Sequence, residues 1–115
     1  MLTKFHNIEN LKKYKHVHMV GIGGISMSGI AEILRSWGIF VTGSDNTRTK
    51  ITDRLASHGI YVSIGHERAL IEKADLVVYS AAIKQDDPDL ATARQNNIAT
   101  IERSDFLRVH NKNLQ

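Results

Sequence analysis

The chain has 115 residues, no cysteine, and 15 Lys and Arg against 12 Asp and Glu, for a net charge of +3. That length suits one domain with a core of its own, and the missing thiols exclude a disulfide framework, a thiolate metal site and a cysteine nucleophile, as suits a cytoplasmic protein. The basic residues are scattered apart from Lys12, Lys13 and Lys15, which argues against a nucleic-acid partner, and no apolar run approaches the roughly 18 residues of a membrane span.

In chain order, residues 1–15 carry only a weak helical pattern and read as an N-terminal extension. Val17 to Gly21 is the first of five short strands rich in β-branched residues; the others are Ile39 to Thr42, Tyr61 to Ile64, Leu76 to Tyr79 and Ala99 to Ile101. Between the first two, Met27, Ile30, Ala31, Leu34 and Trp37 recur at helical spacing, and Gly38 is placed to end that helix in a left-handed conformation. A second helix, about Thr49 to His58, buries Ile51 and Leu55 and stops at Gly59. A short one after His66 carries Leu70 and Ile71. Asp87 caps a further helix whose first turn holds Pro88, the only proline, and Asn96 and Asn97 end it. The polar end, "VHNKNLQ", offers no closing element and reads as a linker cut short.

Strands alternating with helices call for a mostly parallel sheet covered on both faces with right-handed crossovers. The predicted fold is therefore α/β, a doubly wound, Rossmann-like sheet of five strands in the order 3-2-1-4-5. In such folds a ligand sits beyond the carboxyl ends of the strands, where the strand order reverses, here between the first and fourth strands.

Four strand ends converge there. After the first comes "GIGGISMSG": Gly21 permits a tight turn, Gly23 and Gly24 admit a diphosphate close to the backbone, and the N–H groups of Ile25, Ser26, Met27 and Ser28 open a helix toward it. After the second comes "GSDN", where Asp45 stands 24 positions beyond Gly21 with Ser44 and Asn46 beside it. Asp45 is suited to accept from ribose hydroxyls, or else to shape the turn. His66 follows the third strand, either facing a phosphate or base or simply solvated. After the fourth, Ser80, Ala81 and Ala82 leave room opposite the glycine turn. A dinucleotide fingerprint is only partly met, because Ser26 stands where its third glycine belongs, and the P-loop pattern with its Lys is absent.

Other chemistry is weakly signalled. His16 and His18 share one face of the first strand without a third ligand in view, so core or surface histidines are predicted and no metal site. Helix capping explains Asp86, Asp87 and Asp89 in "QDDPD" more simply than a divalent cation does. No catalytic constellation is visible.

Taken in order, "GIGGISMSGIA", "VTGSD", "GH" and "VVYSAAI" resemble the N-terminal domain of the Mur ligases of peptidoglycan synthesis, and within that family the branch that acts on UDP-N-acetylmuramate and L-alanine. The resemblance covers about residues 16–108. It implies a Rossmann-like UDP-sugar-binding domain, followed from 109–115 by a linker toward an ATPase domain that lies outside this chain, and a third domain that helps bind the amino acid. ATP and Mg²⁺ would serve the complete enzyme; no cofactor is expected in this part, which alone would not form the amide bond. Carried over position by position, Gly21, Gly23, Gly24, Ile25, Ser26 and Met27 would hold the UDP diphosphate. Asp45, flanked by Ser44 and Asn46, would meet the uridine, and His66, Ser80, Ala81 and Ala82 would lie near the nucleotide. Arg103 lies in "IERSDFL", similar to the family's Arg-x-Glu-x-Leu segment, with Asp105 in place of Glu. "DDPD" likewise replaces Asn-Pro-Glu, and "SAAI" replaces Ser-Ser-Ala-Ile. The alternative reading is the NAD(P)-binding domain of an oxidoreductase, for which the βαβ unit and Asp45 would look much the same.

Overall fold

The runs rich in valine and isoleucine form strands: β1 (His16–Val20), β2 (Phe40–Asp45), β3 (Tyr61–Ile64), β4 (Leu76–Tyr79) and β5 (Ala99–Glu102). Between and after them lie α1 (Ile25–Ser36), α2 (Lys50–Ser57), α3 (Arg68–Glu72), α4 (Pro88–Gln95) and α5 (Arg103–His110). This computed structural model describes residues 13–110, so the expected extension falls largely outside the described residues, as do residues 111–115. The strands make one sheet in the order β3-β2-β1-β4-β5, and every neighbouring pair is parallel. Strand order and the placement of α1 to α4 between the strands follow the sequence prediction.

Alternation along β1 explains the two-sided core. Val17 and Met19 pack with Met27, Ile30, Ala31 and Leu34 of α1, Leu55 of α2 and Phe106 of α5. On the other face Val20 and Val77 pack with Ile71 of α3 and with Leu90 and Ala93 of α4. Every residue of β1 is buried, as a central strand covered on both faces must be. Each fully buried leucine such as Leu34 or Leu55 contributes about 1.5–3 kcal/mol.

Local chemistry sets the helix ends. The α1 helix stops where Gly38 takes φ +87°, with Gly38 N–H donating to Arg35 O and Ile39 N–H to Leu34 O. At the start of α2, Thr49 and Thr52 each accept the other's backbone N–H through a side-chain oxygen, a reciprocal cap. Asp87 caps α4 through Asp89 N–H at 2.8 Å, with Pro88 following it.

Three expectations need correction. Val20 is the last residue of β1, and Gly21 belongs to the turn, where φ +81° breaks the extended geometry. The second strand runs on to Asp45 instead of ending at Thr42, because its end pairs with the neighbouring strand through Ser44↔Ser63 and Asp45↔Ile64. The chain also has a closing element: α5 follows β5 without a loop and continues through residues 109 and 110, where the sequence suggests a linker. Glu102 receives Ser104 N–H at that junction, and Phe106 fills the core below.

Candidate functional site

Register aligns the strand ends: Val20 pairs with Ser44 on β2 and with Tyr79 on β4, and Tyr79 with Glu102 on β5. The turns that leave them therefore meet on one edge of the sheet. They enclose a cleft of about 130 Å³ whose walls include Gly21, Asp45, Asn46, His66 and Ile83, with Asp89 among its lining residues. It lies over the carboxyl ends of β1, β2 and β3, closed by Ile83 from the segment after β4 and by the start of α4.

The glycine turn is held from below. Gly21 and Ile22 both donate to Ser44 O, at 2.9 and 3.0 Å, and Ile22 is fully buried. Its side chain occupies the space a Cβ on Gly43 would need, since that atom would lie 2.3 Å from Ile22 Cδ1. A glycine in β2, unremarked in the sequence, thus seats the turn. Gly23 N–H donates to Asp45 Oδ2 at 2.9 Å, and a Cβ on Gly23 would come within 2.8 Å of the same oxygen. Gly23 therefore makes room for the Asp45 carboxylate rather than for a phosphate, and its N–H is spoken for.

Beyond the turn, Ser28 N–H returns to Gly24 O at 2.8 Å and is not free, contrary to the expectation. The N–H groups of Ile25, Ser26 and Met27 meet no acceptor among the described residues. The N-cap, Gly24, supplies no side chain, and no acidic residue stands in the first turn of this 12-residue helix. An uncapped helix start of this kind favours an anion. Only backbone is on offer from Met27, because its side chain is buried in the core. Ile25 is 85% exposed. Arg103 Nη1 donates to Ser26 Oγ at 3.2 Å, which brings a guanidinium to the helix start.

Asp45 ties two strand ends together. Its Oδ1 accepts Thr47 N–H at 3.3 Å and its backbone oxygen accepts Gly65 N–H at 2.8 Å. Gly65, at φ +97°, turns the chain so that His66 lines the cleft. Asn46 is exposed beside it. After β4, Ile83 N–H donates to Ser80 O in a turn that leaves Ala81 and Ala82 exposed and sets Ser80 Oγ opposite Gly21.

Ser44 behaves differently from its expected role. It is buried, and its hydroxyl donates to Asp89 beneath the cleft. Asp89 also accepts from His66 Nδ1, and lies 3.4 Å from His18 Nε2. Thr42 Oγ1 then links His18 Nδ1 at 2.8 Å to His16 Nε2 at 2.7 Å. The two β1 histidines are thus core histidines, satisfied by hydrogen bonds. Burial alone raises the Asp89 carboxyl, but hydrogen bonds from His18, Ser44 and His66 together outweigh it and hold the group below its ordinary value. Burial lowers the His16 imidazole, against a backbone hydrogen bond with Lys73. Capping accounts for Asp87 alone; the one sequence clue to Asp89 is its position two residues into the helix that faces His18 across the sheet.

A five-strand parallel sheet in this order, with a glycine turn opening a helix at its switch point, places the chain among the Rossmann-like α/β domains. Residues 16–113 match the Mur ligase family, catalytic domain. The chain belongs to the Mur ligase family. It is 52% identical over 95 residues to a UDP-N-acetylmuramate–L-alanine ligase of Acetivibrio thermocellus, covering 83% of this chain and 20% of that protein. It is 50% identical over 97 residues to the Clostridium tetani ligase of the same name, covering 84% and 21%. The chain thus spans about a fifth of the length of these curated relatives. Among solved structures, the UDP-N-acetylmuramate-alanine ligase of Thermotoga maritima aligns with TM-score 0.77 and 34% identity over 83% of this chain and 22% of its own. NmrA in complex with NADP, at TM-score 0.60 and 15% identity over 76% of this chain and 32% of its own, shares the fold alone.

Proposed function

We propose that this domain holds the UDP moiety of UDP-N-acetylmuramate for an ATP-dependent ligase that joins L-alanine to it in peptidoglycan synthesis. The observation that carries this reading is the set of three free N–H groups, Ile25, Ser26 and Met27, at an uncapped helix start on the turn whose first residue, Gly21, lines the cleft together with His66. The relatives' names supply the substrate. The diphosphate would lie on those N–H groups with Arg103 alongside, which fixes the nucleotide by its charge. The uridine would then extend toward Asp45, Asn46 and His66, and the sugar would leave the cleft toward the rest of the enzyme. ATP and Mg²⁺ belong to another part of that enzyme in this reading, since this sequence has no Gly-Lys-Ser/Thr turn. Among the described residues no group of three or more His, Asp or Glu could hold a metal ion.

The relatives' names weigh against the dinucleotide alternative: those at 52% and 34% identity are UDP-N-acetylmuramate–alanine ligases, whereas the NADP-bound neighbour shares the fold at 15% identity. Calorimetric titration of the chain with UDP-N-acetylmuramate, UDP, NADH and ATP tests the reading. Uridine nucleotides are expected to bind at least about tenfold more tightly than NADH or ATP, a difference of about 1.4 kcal/mol. Tight NADH binding with no response to uridine nucleotides would overturn it.

A further inference from the structure

We infer that Asp89 is a positioning residue: from beneath the cleft it fixes the His66 imidazole with Nδ1 inward and Nε2 presented to an O–H or N–H donor on the nucleoside half of the ligand. The ligand part of this inference rests on the function proposed above; the hold on His66 does not.

The carboxylate has little freedom. Asp89 is 3% exposed, sits in the first turn of α4 behind the Asp87 cap and Pro88, and receives Ser44 Oγ on Oδ2 and His66 Nδ1 on Oδ1. His18 stands 3.4 Å from Oδ2, itself fastened by Thr42, so a buried polar network holds the carboxylate from the sheet side. An ionised carboxylate can only accept, which requires the proton of a neutral His66 ring to sit on Nδ1. Nε2 is then an acceptor. It has no protein partner among the described residues, and the ring is partly exposed on the cleft wall. A ribose hydroxyl or a uracil N–H satisfies that atom; a phosphate oxygen, itself an acceptor, does not.

The substitution Asp89→Asn is isosteric and inverts the pattern. Its amide oxygen stays with the donors Ser44 and His18, leaving NH₂ to face His66, which must then carry its proton on Nε2. The wrong tautomer presents a donor to a donor. Long-range ¹H–¹⁵N correlation of the neutral ring reads the tautomer directly: Nδ1–H is expected in the unaltered chain and Nε2–H in Asp89→Asn. In UDP titrations, His66→Ala and Asp89→Asn are each expected to weaken binding about tenfold, the loss of one hydrogen bond. The double variant should be no weaker than His66→Ala alone. An Nε2–H tautomer in the unaltered chain, an unchanged tautomer in Asp89→Asn, or a further tenfold loss in the double variant would overturn the inference. Should Asp89→Asn fail to fold, the tautomer of the unaltered chain still decides it. If no uridine nucleotide binds the unaltered chain while the Nδ1–H tautomer is present, the ligand reading falls and the hold of Asp89 on His66 stands.

Discussion

Replacing Gly43 by alanine separates a seated turn from an incidental glycine. Alanine is ordinarily better than glycine inside a strand by roughly 0.5–1 kcal/mol, so an uncrowded site would be stabilised. Here the new Cβ would stand 2.3, 2.7 and 2.9 Å from Cδ1, Cβ and Cγ2 of Ile22. The closest of these is about 1 Å short of ordinary van der Waals contact. Ile22 is fully buried and cannot swing into solvent, so it must drag Gly21 and Gly23 with it. Overpacking of this size costs about 1–3 kcal/mol. A loss of about 2 kcal/mol lowers Tm by about 8–10 °C in a domain of this size. Thermal unfolding followed by circular dichroism measures it, and the amides of residues 21–24 should shift in ¹H–¹⁵N spectra. In an Ile22→Ala background the cost should shrink without vanishing, since Cδ1 and Cγ2 are gone but Cβ remains. A Gly43→Ala chain with unchanged or raised Tm would show that Ile22 does not crowd this position, as would an undiminished cost in that background.

Asp45→Asn keeps an oxygen for Gly23 N–H and is expected to retain most UDP affinity, whereas Asp45→Ala loosens the turn and weakens binding about tenfold; equal losses measured by calorimetry would point to a direct charge contact instead. Stability should fall with acid in two stages. The native His16 imidazole is held below its ordinary 6.5, so the unfolded chain binds the extra proton first and stability declines as pH drops through 6.5 toward the native value. The Asp89 carboxyl is held below its ordinary 3.8, so its contribution is complete above 3.8 and is lost as pH falls through the lower native value. Denaturant melts from pH 8 to 3 check both, and His16→Gln should flatten the first stage; an unaltered slope there would place the titration elsewhere.

Sheet order was legible because five short β-branched runs separated by helical patterns leave few topologies for right-handed crossovers. Gly38 was read as a left-handed helix end and has positive φ, as do Gly59, read as a helix stop, and Gly21, read as the residue that permits the tight turn. The site was legible as a place and less so as a set of roles. Ser44 and Asp45 were expected to face a ligand, yet one turns down to Asp89 and the other braces the glycine turn, because contacts across 45 and 22 residues leave no local periodicity. Asp89 was hidden by its own helix start, where an acid suits the first turn whatever else it touches. The α5 helix escaped notice because it begins directly after β5 with no intervening turn signal, and its buried face is announced by little more than Phe106 and Leu107.

In the proposed function the free N–H groups of Ile25, Ser26 and Met27 receive the diphosphate of a uridine nucleotide. Titration of ¹⁵N-labelled chain with UDP, read at individual amides, tests it most directly. Saturable shifts at these three residues, larger than those elsewhere and absent with uridine alone, are the expected result. Saturable binding of UDP that leaves these three amides unmoved would place the diphosphate elsewhere.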